Sequence, residues 1–415
     1  MMKVHDTRWN VILWGLFFLI YFYNWSSCFL FLPMWLTQIV KLDKVHIGMV
    51  FSSFTVAAIC LQPLLGWVTD KLGPQKYLLW LIVILMILFA PFFIYVYTPL
   101  LQSNFVVGMV VGGLYTGFVF FAGGAAIEAF VEKVSRNRGF EYGRSRLFGC
   151  FGSAACAAIS GVLYGFEPTY IYWIGSALAL LLVVILLIAR SEPLSNLEAE
   201  LLRKQRVSVL ELFKDHQYWC FTLYLLGVTC IYDVFDQQFI IFFGHFFDHQ
   251  EQAARVFGYI TAIGNLGDAA VMCFIPLLIN KYIGSKNALL ITGTIMTIRI
   301  IGSSFAKDSM EVLLLRMLHN FEIPFLLTGI FKYIADIFDT RLSATVYLVG
   351  VMFKQFTAII LSTVAGHLYD TIGFHNTYLI LGGISAGSTL LSAYLLTSTP
   401  CKKTADKHHS SMEKI

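Results

Sequence analysis

Trp9 to Leu36 runs through 28 residues without one Asp, Glu, Lys, Arg or His. About 20 apolar residues already carry a helix across the hydrocarbon core of a bilayer. Backbone groups in lipid must bond within their own segment, so such a run has to be helical. Similar runs recur along the whole chain. Twelve spans are expected, near residues 9–37, 45–69, 76–98, 103–132, 146–165, 168–189, 218–247, 255–280, 286–305, 311–335, 343–369 and 375–398. The length of 415 residues would otherwise suggest two or three soluble domains, and a composition 58% hydrophobic and 13% charged argues against them. The expected fold class is an all-α membrane protein with twelve transmembrane helices. The first run lacks a small-residue cleavage site and reads as a retained helix rather than a signal peptide.

The longest polar connector, Ser191 to Gln217, divides the chain. Residues 1–190 are expected to form a six-helix bundle, 191–217 a cytoplasmic connecting loop, 218–398 a second six-helix bundle and 399–415 a cytoplasmic tail. The halves echo each other. Pro63-Leu64-Leu65 and Pro276-Leu277-Leu278 each lead into a basic turn, and Gly161-Val162-Leu163-Tyr164 matches Gly366-His367-Leu368-Tyr369. Parallel repeats of this kind place a substrate site near the middle of the bilayer. An even number of spans puts both termini on one face. Of the 29 basic residues, 21 fall on that face and only Lys41, Lys44, Arg255 and Lys307 on the other, so the termini are expected to be cytoplasmic.

The eight cysteines sit mostly in or beside apolar segments and form no C-x-x-C pair, which predicts small buried apolar residues rather than disulfides or a metal site.

The informative residues are the ionisable ones inside the spans. Charge in hydrocarbon is expensive, so it faces the interior of the bundle and marks function by default. The acids are Glu128, Asp233, Asp236, Asp268 and Glu322, and the bases are Arg146, Arg299, Arg316 and Lys354. Arg316, His319 and Glu322 follow at i, i+3 steps and share a stripe of the tenth span. Opposite charges in a low-dielectric interior pair where geometry allows. Five acids against four bases leave one carboxyl over, and an unpaired carboxyl in apolar surroundings readily takes a proton. That pattern suits a proton carrier. The bland alternative, structural pairs at helix ends, has to explain ten ionisable groups on seven segments. Sugar sites need charged and amide groups for hydroxyls and an aromatic ring for the C–H face. The first span offers Tyr23, Asn24, Trp25, Ser26 and Ser27, and the eighth Asn265 and Asp268. For Trp25 alone, packing or an interfacial anchor is the ordinary reading.

The turn from Gly66 to Lys76, with Asp70, Lys71 and Gly73, resembles the signature loop of the major facilitator superfamily. Four blocks are more specific: Glu128 to Arg136, Phe140 to Arg146, Tyr232 to Phe239 and Leu318 to Pro324. They resemble the oligosaccharide:proton symporters, the lactose, raffinose, melibiose and sucrose permeases, over nearly the whole chain. The resemblance implies that Glu128 and Arg146 bind sugar, and that His319 and Glu322 couple sugar to proton with Arg299 and Tyr232 beside them. It implies interhelical pairs of Asp233 with Lys354 and of Asp236 with Arg316, the latter a departure from the usual Lys. Gly48, Gly366 and Asp70 correspond to gating positions.

Three departures bear on the sugar. Galactoside permeases have a stacking Trp where this chain has Ser153, Glu where it has Asn265 and Asn where it has Asp268. The amide and carboxylate of the eighth span look sucrose-like, so sucrose or a related glycoside is the leading expectation and a galactoside the alternative. The resemblance further implies an oligosaccharide and a proton as cargo, the bacterial inner membrane as location, the lipid bilayer as surroundings, a monomer as working unit, and no cofactor, metal or nucleic acid. A membrane enzyme would need a nucleophile or metal constellation that no spacing here suggests. A sensor would need a signalling domain longer than the tail after Ser398.

Overall fold

The computed structural model describes residues 2–72, 76–138, 140, 142–189, 212–338 and 343–398. All twelve expected segments are helical. They are α1 (Met2–Phe29, carried on by Leu32–Trp35 and the π-helical Leu36–Val40), α2 (Lys44–Leu72) and α3 (Tyr77–Ile87, then Phe89–Ser103). Next come α4 (105–138), α5 (Tyr142–Leu163), α6 (Tyr170–Ile188), α7 (216–244) and α8 (Gln250–Leu278, prolonged by Ile279–Ile283). The last are α9 (Ser285–Phe305), α10 (Ser309–Met317, then His319–Ile337), α11 (Ser343–Thr371) and α12 (Gly373–Leu395). Among the described residues ten of these are long and apolar enough to cross a membrane, and α3, taken as one bent span, is an eleventh. The remaining helix, α8, carries Glu251, Arg255 and Asp268.

Most of the 191–217 connector and the whole 399–415 tail lie outside the described residues. Asp70 is in the final turns of α2, and its side chain is also outside them.

The bend in α3 has a local cause. The helix turns by 54° between Ile87 and Phe89. Pro91 lacks the N–H that would bond to Ile87, and its ring crowds that carbonyl. The disturbed turn is repaired from α6, where Ser176 Oγ accepts from the Ala90 N–H at 2.8 Å. The π-helical stretch Gly117–Ala122 of α4 is served similarly: the buried hydroxyl of Tyr21 donates to the carbonyls of Val119 and Phe120 at 3.1 and 2.9 Å. These bonds explain why tyrosine and serine, rather than Phe and Ala, stand deep in apolar helices.

Backbone proximity divides the chain into two compact units. One comprises Met1–Leu202, Gln237–Leu266 and Ile359–Asp370, the other Arg203–Asp236, Gly267–Ala358 and Thr371–Ile415. The first unit is built on aromatic packing around Trp14, Phe17, Phe18, Phe89, Phe93 and Tyr172. It also contains two tight helix crossings. A Cβ on Gly48 would lie 2.3 Å from the Ser362 carbonyl oxygen, and one on Gly366 would lie 2.4 Å from that of Lys44, so α2 and α11 meet backbone to backbone. At the crossing of α5 and α8, a Cβ on Gly161 would come within 2.9 Å of the Gly258 Cα. The two glycines that open the repeated sequence motif thus both sit where no side chain fits. Lys44 pairs with Asp370 at 3.4 Å beside the first crossing, and Gln238 donates to the Lys44 carbonyl at 3.0 Å.

Candidate functional site

In the first unit the site residues belong to α1, α4 and α5. Arg146, in the second turn of α5, donates from Nε to Glu128 Oε1 of α4 at 2.8 Å. The pair keeps contact with the outside of the protein, with side chains 33% and 38% exposed. The face of the guanidinium lies on Phe22 of α1, its carbon 3.8 Å from the ring centroid. Ser153 lies two turns beyond Arg146, half-buried, its hydroxyl 3.4 Å from the Phe22 carbonyl oxygen. On α1, Phe22, Trp25 and Phe29 fall on one stripe, with the rings of Trp25 and Phe29 5.0 Å apart. Asn24 points elsewhere. It is fully buried, donates to the Ile20 carbonyl at 3.0 Å, and turns its amide oxygen toward Gly175 of α6.

In the second unit the charges condense around Arg299 of α9, which is completely buried. Its guanidinium holds Glu322 of α10 at 2.5 Å and, by its other nitrogen, Asp236 of α7. Asp236 is shared: Arg316 Nη1 reaches both of its oxygens at 3.1 Å. The imidazole of His319 lies 3.3 Å from Glu322 Oε2 and 3.2 Å from Arg299 Nη1. Tyr232 stacks on that imidazole, its hydroxyl 3.2 Å from Nδ1. The ring of Phe235 covers the Arg299 guanidinium at 4.9 Å. Asp233 and Lys354 form their own pair at 2.7 Å.

The structure therefore brings together Tyr232, Asp236, Arg299, Arg316, His319 and Glu322, and it brings together Glu128 and Arg146. Asn265 and Asp268 stand one turn apart on α8, both half-buried. Asp268 is the one intramembrane acid with no base in direct contact among the described residues, and its buried Oδ1 accepts no hydrogen bond from them. Two features escaped the sequence. Arg299 serves two carboxylates rather than one, and Phe22 lies under Arg146. No spacing rule joins residues on different helices. A small-residue run at Gly149, Gly152 and Ser153 is the signal that marks the close α1–α5 seam.

Chemically the regions offer different things. The exposed pair presents a carboxylate and a planar multi-donor cation, which together suit vicinal hydroxyls. The buried network joins the Glu322 carboxyl to the His319 imidazole, and that imidazole to the Tyr232 phenol. Asp236, Asp268 and Glu322 set three acids against Arg299 and Arg316, so one proton makes that set neutral.

The family model described as LacY proton/sugar symporter matches residues 3–408. The melibiose permease of Enterobacter cloacae is 50% identical over 401 residues, covering 95% of this chain and 94% of the relative. The raffinose permease of Escherichia coli is 50% identical over 408 residues, 96% of each chain. The sucrose permease of Escherichia coli is 32% identical over 380 residues, 91% of each. Among solved structures, the nucleoside transporter NupG superposes with a TM-score of 0.76 at 18% identity over 93% of this chain and 98% of that one, which is a likeness of fold. The chain is a multi-pass helical transporter with the major facilitator fold, not an enzyme, and it belongs to the LacY family of proton/sugar symporters.

Proposed function

We propose that this chain takes up a di- or trisaccharide together with a proton across a bacterial cytoplasmic membrane, opening its site to one face at a time, with both termini cytoplasmic. The observation that carries the reading is the buried Arg299, which binds Glu322 and Asp236 at once while His319 touches Glu322. A charge set this costly, and one proton away from neutrality, fits coupling better than support. Glu322 takes and releases the proton, His319 and Tyr232 act with it in coupling, and Arg299 stabilises its ionised form. Glu128 and Arg146 bind sugar hydroxyls, with Asn265 and Asp268 contributing from α8 and Trp25 from the aromatic stripe of α1. Asn24, turned to Gly175, supports that stripe by packing. Asp233–Lys354 and Asp236–Arg316 act as interhelical pairs. Gly48 and Gly366 act at the helix crossing, and Asp70 in the gating turn.

The sugar has two readings. Asn265 and Asp268 favour sucrose or a related glycoside, while Ser153 has the aromatic of neither group. Half-identity to melibiose and raffinose permeases favours a galactoside. The test is uptake of labelled sucrose, melibiose, raffinose and lactose by cells carrying this transporter alone, with and without a protonophore. Accumulation that collapses to equilibration with the protonophore is expected. Uptake indifferent to it contradicts coupling and leaves passive facilitation.

A further inference from the structure

The proposed function asks Arg146 to present a planar cation to sugar hydroxyls. A long arginine side chain at a one-third exposed position has many rotamers, so something must hold the plane. Glu128 holds only the Nε edge. The face is held by Phe22, whose ring centroid lies 3.8 Å from the guanidinium carbon, while the Phe18 ring stands further off at 5.9 Å.

The α1–α5 seam is cut to permit this contact. A Cβ on Gly149 would lie 2.7 Å from the Phe22 ring and 2.9 Å from Arg146 Nη1, so any side chain there would force the two apart. A Cβ on Gly152 would lie 2.0 Å from the Leu19 carbonyl oxygen, which shows how closely α1 and α5 approach. Ser153 then places its hydroxyl 3.4 Å from the Phe22 carbonyl oxygen.

We infer that Phe22 is a positioning residue for sugar recognition: its ring fixes the plane of Arg146, so that the terminal amino groups meet the ligand. The inference rests on the sugar-transport reading above and deepens it. An aromatic face attracts a guanidinium through its quadrupole, and a fixed plane spares the entropy of ordering the side chain when sugar arrives. Leucine fills similar space but offers no such face.

The test uses the intact protein in cells, with whichever of sucrose, melibiose, raffinose and lactose the unmodified chain accumulates. Phe22→Leu should raise the half-saturation concentration about tenfold and leave the maximal rate per transporter nearly unchanged, in keeping with a partly desolvated cation–π contact. Phe22→Tyr should restore the original value. In an Arg146→Lys background, Phe22→Leu should add little, because the plane it fixes is already gone. Gly149→Ala should raise the half-saturation concentration in the same direction as Phe22→Leu. Normal half-saturation in Phe22→Leu overturns the inference alone. So does a loss that Phe22→Tyr shares, or one that is fully additive with Arg146→Lys. If Phe22→Leu fails to reach the membrane, the Phe22→Tyr and Gly149→Ala values decide. Accumulation of none of the four sugars by the unmodified protein overturns the sugar reading, and the inference with it.

Discussion

Arg146 and Arg299 are each held by carboxylate and aromatic partners, yet the first is 33% exposed and the second is not exposed at all. Arg146 has one acid, on its Nε edge. Arg299 has two acids, one on each terminal nitrogen, and an imidazole besides. The difference separates two uses of charge in a membrane. A cation that keeps some water can exchange that water for the hydroxyls of a ligand. A cation sealed among carboxylates has no such freedom, and it changes state only when one of its carboxyls gains or loses a proton. The proposed function assigns binding to the first arrangement and coupling to the second.

Neutralising each arginine in turn puts the largest strain on that contrast. Arg299→Gln leaves Glu322 buried beside the His319 imidazole without its arginine, and breaking a buried pair in this way costs about 3–5 kcal/mol. Arg146→Gln frees a carboxylate that already reaches the surface and costs about 1 kcal/mol or less. Thermal unfolding of the two purified variants should therefore differ plainly. Equal losses would erase the distinction. The exposed pair is probed next by Arg146→Lys, which keeps the charge and loses the fork. Sugar affinity of the purified protein should fall roughly thirtyfold, or about 2 kcal/mol, the scale of charge-assisted hydrogen bonds. Unchanged affinity would remove Arg146 from recognition.

The Asp233–Lys354 pair lies between the extremes, 36% and 21% exposed. Lys354→Ala alone should destabilise by about 1–2 kcal/mol, and Asp233→Ala added to it should recover most of the loss, because the stranded charge goes with its partner. A double variant less stable than either single one would show that the two side chains stabilise the fold separately rather than as a pair. The smallest effect belongs to Ser153→Trp. The serine gives up only a 3.4 Å hydrogen bond. An indole there should improve galactoside affinity about fivefold, near 1 kcal/mol for an added aromatic face. Tight galactoside binding by the unmodified protein would count against a sucrose-type preference.

The helices were legible because hydrocarbon allows so little choice. A run such as Trp9 to Leu36 has one stable backbone arrangement in lipid. The list of charged residues was legible for the same reason, since each stands out against an apolar run. Their partners were only partly so. The i, i+3 steps of Arg316, His319 and Glu322 put them on one stripe, although α10 is interrupted at Leu318. That Arg299 bridges α7 and α10 depends on how three helices pack, which spacing along one of them does not encode. The polar run from Tyr23 to Ser27 illustrates the limit. Successive helical residues diverge by about 100°, so Trp25 reaches the surface while Asn24, its neighbour, is sealed against α6. Phe22 was invisible among 37 phenylalanines, and only the contact with Arg146 distinguishes it.

Glu322→Gln tests whether Glu322 carries the coupled proton, because the amide imitates the protonated acid permanently. Sugar binding and the exchange of internal for external sugar require no net proton release, whereas accumulation does. Membrane vesicles with an imposed pH gradient measure both, as uphill uptake of labelled sugar and as counterflow. The account predicts counterflow near the unmodified level and no accumulation above equilibration. Uphill accumulation retained by Glu322→Gln would contradict it and move the proton site to Asp268.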